Sequence, residues 1–221
     1  MILNLLLFKL GLVATFLNVW LAPAFGQTCL NGYGDENLEE KAPFQRVGTI
    51  ASDRDLALHW TQPAEFTEIT PFSGKAHELA KHEGIDFIHS DQSVSQVAVR
   101  SVADGKVVYV RFGCPQSYPF EQNTAKRACG GYWGNHVVIL HRNGMFTRYS
   151  HLSPDSIQVR IGQQIRQGDE IAKMGNSGLS DTRHLHFELG VAIEFNPCKP
   201  AQSLKYVYNP ANYLGWVDLM R

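Results

Sequence analysis

The chain has 221 residues, 44% of them hydrophobic, and a formal charge of −1. That length suits one ordinary domain plus an extension, and the apolar share is enough for a core, so disorder is not the default reading. There is no basic excess, acidic tail or heptad repeat, and no nucleic-acid partner is expected.

Met1 to Phe25 carries one charge, Lys9, in an otherwise largely apolar run. Small residues at Ala24 and Gly26 fit a signal-peptidase site before Gln27, so residues 1–26 are expected to be a signal peptide. Export to the periplasm or the extracellular space follows, with membrane contact only through this segment before cleavage. The charge inside the run, together with Asn4 and Asn18, makes the signal imperfect, and its length would also suit an uncleaved anchor. Gly26-Gln27-Thr28 is a poor lipobox before Cys29, so lipidation is not expected.

Residues 27–70 read as an irregular lead-in, broken by Gly32, Gly34, Pro43 and Pro63, with one short helix near Glu36 to Lys41. Short β-type runs follow. Val94 to Val102 alternates and is valine-rich, Asp104-Gly105 is a tight turn, and Lys106 to Phe112 is expected to return as a hairpin arm. Gly113 to Gly131 reads as a long loop between strands, a kind of segment that is usually functional or specially constrained. Asn135 to His141 and Met145 to Ser150 flank the hairpin signal Asn143-Gly144. Val159 to Ile165 and Glu170 to Met174 flank Gln167-Gly168-Asp169, and His184 to Val191 is the last strand. The fold class expected is mostly β: an antiparallel sheet or sandwich core of short strands, with long loops forming a groove.

The four cysteines, Cys29, Cys114, Cys129 and Cys198, all follow the cleavage site. An even count in an exported chain reads as two disulfides, and three pairings are possible. The expected pairing joins Cys114 to Cys129, stapling the long loop, and Cys29 to Cys198. With no CxxC pair, a cysteine zinc site is not expected.

Three histidine motifs carry chemistry: His82-Glu83-Gly84-Ile85-Asp86-Phe87, Tyr149-Ser150-His151-Leu152 and His184-Leu185-His186-Phe187-Glu188. Strand residues two apart share a face, so His184 and His186 project side by side with Leu185 turned to the core. Both could reach one metal, or one the metal and the other its substrate. His82 and Asp86 add a nitrogen and an oxygen. Two histidines and a carboxylate with an open position suit catalytic zinc better than calcium or magnesium, which need more oxygens. Glu188 alternates onto the histidine face, either to orient a ligand or as a solvent-facing end residue. His59, His77, His89, His136 and His141 lack such context and read as structural or surface residues.

Together these motifs resemble the lysostaphin-type, or LytM-like, zinc endopeptidases of bacterial cell walls. The resemblance runs from about Phe72 to Val191. It includes Ala103 to Val108, Tyr132 to Ile139, Thr147 to Leu152, Gly168 to Met174 and Gly175-Asn176-Ser177-Gly178. It implies Zn2+ on His82, Asp86 and His186, with His151 and His184 beside the metal as catalytic groups. It also implies peptide cross-links of peptidoglycan as substrate. A zinc peptidase domain over 71–195 is expected, with 196–221 packed on it as an extension, and the protein is expected to be a monomer. Some members of the family have lost zinc ligands and activate other wall hydrolases; all three ligand positions are intact here. A secreted protease acting on Gly-rich proteins is a further alternative. The Pro71 to Ala76 turn and the Gly113 to Gly131 insertion depart from the family pattern and are expected to line the groove.

Overall fold

A computed structural model describes residues 45–48, 60–142, 144–191 and 204–214. The expected signal peptide, the short helix near Glu36 to Lys41, and Cys29 and Cys198 lie outside the described residues. Within them the regular structure is eleven strands and one 3-10 helix, Pro210–Asn212. The strands are β1 Arg46–Val47, β2 Glu68–Thr70, β3 Gly84–Ile88, β4 Ala98–Arg100, β5 Gly105–Arg111 and β6 Asn135–His141. They continue as β7 Phe146–Leu152, β8 Gln164–Ile165, β9 Glu170–Lys173, β10 His184–Val191 and β11 Tyr206–Tyr208. Among the described residues no helix is long and apolar enough to cross a membrane.

The mostly-β expectation holds. Nine strands form one sheet along the path β1-β11-β10-β7-β6-β5-β8, with β3 also on β10 and β2 on β3; β4 and β9 form a separate pair. The sheet is mixed because β1 runs parallel to β11. The lead-in is more ordered than expected where it is described, since β1 and β2 both pair. Tyr206–Tyr208 extends the sheet beside β10.

Strand alternation explains the packing. Val137 and Ile139 of β6 join Tyr149, Leu185, Phe187 and Leu189 in the main core, whereas Val138 enters a second cluster with Phe146 and Val207. The β4–β9 pair covers the main core through Val99, Ile171 and Ala172. This corrects the expected hairpin from Val94 to Phe112. β4 pairs with β9, while β5 pairs with β6 and β8. Val99 and Val107 are both fully buried because they face one core from two layers. Alternation reports burial and cannot tell a strand paired with its neighbour from one packed across from it. The β6–β7 hairpin forms as expected. The segment between β5 and β6 holds no strand or helix, and it is closed by a Cys114–Cys129 disulfide.

His89, His136 and His141 are buried and structural, and His77 is exposed. His136 stacks on Tyr109 and donates from Nδ1 to the Gly134 carbonyl at 2.9 Å. Burial, then the Arg148 charge, pushes its pKa down to about 3 from the ordinary 6.5. Between those values the unfolded chain binds a proton that the folded chain refuses, so this contribution is complete above 6.5 and is lost as pH falls through the window. In metal-free protein His136 should remove up to ~1.4 kcal/mol of stability per pH unit on acidification. Urea unfolding of wild type and His136→Gln at pH 7 and pH 5 checks this; equal pH dependence in the two would contradict it.

Candidate metal and catalytic site

His82 stands just before β3, Asp86 lies in β3, and His186 in β10. Antiparallel pairing puts Asp86 directly opposite His186. Asp86 Oδ1 lies 3.1 Å from His82 Nε2 and 2.7 Å from His186 Nδ1. One donor atom from each of these residues falls within 4.8 Å of the others. The remaining ring nitrogens are engaged outside the cluster. His82 Nδ1 donates to the Pro71 carbonyl at 2.8 Å, and His186 Nε2 lies 3.2 Å from Glu188 Oε1. A carbonyl only accepts, so His82 carries a proton on Nδ1, and Nε2 is the ring atom that faces Asp86.

Glu188 is fully buried, which decides between its two sequence readings. Its carboxylate receives Trp133 Nε1 at 2.5 Å and Arg148 Nη1 at 2.7 Å. Arg148 is also fully buried and lies over the Trp133 ring, 3.7 Å from the centroid. Burial disfavours the Glu188 charge, but Arg148 and His186 outweigh it and bring the pKa to about 2. Burial likewise opposes charge on His186, yet Asp86 and Glu188 together raise its pKa to about 10. Asp86 is held well below the usual carboxylate range, against burial, by His186 and His82. Arg148 already balances Glu188, so the demand for a further positive charge is Asp86's, met without metal by a protonated His186. A divalent cation among the three donors meets that demand and leaves His186 Nε2–H on Glu188. The residues therefore fit zinc.

His184 and His151 flank this cluster. His184 shares the β10 face of His186, and its Nε2 lies 3.8 Å from Asp86 Oδ1. Its Nδ1 donates to the Thr182 carbonyl at 3.0 Å, with Ser180 Oγ at 3.2 Å. His151 Nδ1 donates to the Ser177 carbonyl at 2.7 Å. Both rings thus keep an unprotonated Nε2. Burial lowers both pKa values; His184 and His186 lower that of His151 further, while Asp86 partly offsets the shift at His184.

Alternation along β7 would send His151 to the core side with Tyr149. Two features redirect it. The register passes from Asn135↔Leu152 to Val137↔Tyr149, so β7 carries one extra residue there, a β-bulge. His151 itself takes a left-handed φ of 59°. Bulges re-aim side chains, and a non-glycine residue in this region stores roughly 1–3 kcal/mol of strain. The His151 ring consequently sits 4.5 Å from that of His184 and 6.0 Å from that of His186.

The five residues line one groove of about 430 Å³, together with Glu83, Gly131, Tyr132, Trp133 and Leu179. The insertion reaches the groove through Gly131, whereas the Pro71 to Ala76 turn contributes the carbonyl that orients His82. Glu83 and Leu179 were not anticipated. Glu83 adjoins a ligand motif, and burial and the Glu188 charge raise its pKa. The close contact of the loops around residues 134 and 178 needs two glycines. Gly134 has φ +65° and Gly178 φ +79°, and a Cβ on either would clash with backbone of the other's loop. This close approach brings the Ser177 carbonyl under His151.

Residues 80–197, more than half of the chain, match the sequence profile described as Peptidase family M23. The chain belongs to this family. It is 33% identical over 130 residues to the murein hydrolase activator NlpD of Escherichia coli, covering 59% of this chain and 27% of that one. It is 34% identical over 119 residues to the peptidoglycan DD-endopeptidase ShyB of Vibrio cholerae, covering 54% and 22%. The DD-carboxypeptidase/endopeptidase Mpg of Neisseria meningitidis matches at 32% over 144 residues, covering 63% and 27%. The matches thus span about a quarter of the length of these relatives. The catalytic domain of lysostaphin from Staphylococcus simulans aligns over 67% of this chain and 92% of that chain, at 19% identity and a TM-score of 0.43.

Removing Arg148 leaves Glu188 buried without its cation. Arg148→Met should therefore destabilise this M23 domain by about 3–5 kcal/mol. The double variant Arg148→Met with Glu188→Leu should recover most of the loss. Urea denaturation of metal-free protein measures both; an Arg148→Met variant as stable as wild type would contradict the electrostatic account.

Proposed function

We propose that the chain is a zinc-dependent endopeptidase that hydrolyses peptide cross-links of bacterial peptidoglycan. One observation carries this reading: two buried, neutral histidines aim their free Nε2 atoms into the groove beside a His-Asp-His donor set. Relatives named as peptidoglycan endopeptidases support the substrate class. Export through residues 1–26 would bring the protein to that substrate.

In this reading His82 Nε2, an Asp86 oxygen and His186 Nδ1 hold the metal. Zinc bound there supplies Lewis acidity, polarising a carbonyl and lowering the pKa of water toward neutrality. The protein's own groups do the rest. Pro71 and Glu188 fix the tautomers of the ligand histidines. Neutral His151 or His184 accepts a proton at Nε2 from the water that attacks the scissile carbonyl. The resulting imidazolium stabilises the developing oxyanion or returns the proton to the leaving amine. Tyr132, Trp133 and Leu179 offer apolar surface to the peptide. The activator role named for NlpD is the second reading, and the intact donor set together with both groove histidines favours hydrolysis over it.

The test uses purified protein and defined cross-linked muropeptides with mass analysis. Wild type should hold about one zinc per chain. His82→Ala, Asp86→Ala and His186→Ala should lose zinc and activity together. His151→Ala and His184→Ala should keep zinc but lose ~10²–10⁴-fold in turnover. Zinc retention in all three ligand variants, or a wild type that cleaves no muropeptide, would contradict the proposal.

A further inference from the structure

Both groove histidines take their Nδ1 acceptor from one segment, residues 176–183: the Ser177 carbonyl for His151 and the Thr182 carbonyl for His184. This segment forms no strand or helix and is built largely of small residues, so its own backbone does not fix it. Strand residues hold part of it, since Ser177 Oγ donates to the Leu152 carbonyl at 2.7 Å and accepts from Asn135 N–H at 3.0 Å. The disulfide-closed insertion holds the stretch from Gly178 to Asp181 and both ends. Asn123 N–H donates to the Ser180 carbonyl at 2.8 Å, and Asn123 Nδ2 donates to the Gly178 carbonyl at 2.9 Å. Arg127 adds Nη1 to the Ser180 carbonyl at 3.3 Å and Nη2 to Asp181 at 2.9 Å. At the ends, Asn176 Nδ2 donates to the Glu121 carbonyl at 2.7 Å, and Arg183 N–H donates to the Phe120 carbonyl at 3.1 Å.

Asn123 is fully buried, and both ends of its amide are used. Oδ1 accepts from Ser117 Oγ at 3.1 Å and from Ala125 N–H at 3.0 Å, while Nδ2 also donates to the Ala125 carbonyl at 3.1 Å. The insertion is thereby locked to itself and to segment 176–183 through one side chain. From Ser180 the path to His184 is short: Ser180 Oγ donates to the Thr182 carbonyl at 2.5 Å and accepts from His184 Nδ1 at 3.2 Å.

We infer that the insertion 113–131 is a positioning clamp for His151 and His184, with Asn123 as its pivot. The inference rests on the catalytic roles proposed above for those two histidines. Its chemical content is tautomer control. A neutral imidazole has one N–H, and the carbonyls of Ser177 and Thr182 keep it on Nδ1. When those carbonyls turn away, the proton populates Nε2, and the ring no longer accepts a proton from the groove. A clamp acts on turnover, whereas a mere substrate wall acts on binding.

Zinc-loaded full-length Asn123→Asp is the first variant. It keeps the shape of Asn123 but places an acceptor against the Gly178 carbonyl. The second, Cys114→Ser with Cys129→Ser, loosens the same loop without touching Asn123. For a defined cross-linked muropeptide, kcat should fall roughly 10–100-fold in Asn123→Asp. KM should stay within about twofold, and zinc content should not change. The disulfide variant should move in the same direction by less. Nitrogen-15 NMR of the imidazoles should show Nδ1–H on both histidines in wild type and a mixture with Nε2–H in Asn123→Asp. Val107→Ala, in the core away from the groove, serves as the stability control and should leave kcat and tautomers unaltered at temperatures where it is folded. Unchanged kcat and tautomers in both loop variants would overturn the inference, and so would a rise in KM alone. If wild type cleaves no muropeptide, the proposed function fails, while the tautomer readout still decides the clamp.

Discussion

Strand β10 carries the site because its side chains alternate. Leu185, Phe187 and Leu189 lie fully buried in the main core, and their burial holds the strand at a fixed height and rotation. His184, His186 and Glu188 are then forced onto the other face, side by side. The neighbours complete the group. β3 sets Asp86 opposite His186, and β7 sets Arg148 opposite Glu188. A one-residue slip of β10 would bury the histidines in the core and expose its leucines, so the packing that stabilises the fold also specifies the site.

The charges are arranged around that face in matched steps. Glu188 and Arg148 are both fully buried and form a 2.7 Å ion pair, with Trp133 donating to one and stacking under the other. Such a pair adds little net stability compared with apolar packing. Its consequence is positional: a fixed anion receives the His186 ring from behind and leaves Nδ1 directed at Asp86. Behind His151 and His184 the acceptors are backbone carbonyls, which are neutral. Burial can therefore depress the pKa values of His151 and His184 without an anion to offset it at the second nitrogen. Of the four histidines only His186 has a carboxylate behind it; His82, His151 and His184 each have a backbone carbonyl at Nδ1.

Much of this was legible in the sequence. The two-residue spacing of His184 and His186 fixed their shared face, and His82 with Asp86 supplied the missing donors. The Asn143-Gly144 turn marked the β6–β7 hairpin. Three features were not legible, each for a physical reason. The groove position of His151 depends on a bulge and a left-handed backbone that break the alternation a pattern reader relies on; only the family resemblance pointed to it. The pairing of β4 with β9 rather than β5 is a choice between layers, and valine-rich strands look alike in either. The hold of Asn123 on segment 176–183 links residues far apart in the chain through backbone carbonyls, which leave no signature in side-chain identity.

The central claim is that His82, Asp86 and His186 form a metal centre distinct from the groups that move protons. Diffraction from crystals of the zinc-loaded protein, with data on both sides of the zinc absorption edge, tests it most directly. The account predicts one anomalous peak at roughly 2.0–2.2 Å from His82 Nε2, an Asp86 oxygen and His186 Nδ1. His151 and His184 should show Nε2 turned toward the peak but outside bonding distance. A peak bonded to His184 or His151 in place of His186, or centred on Glu83 or Glu188, would contradict the account.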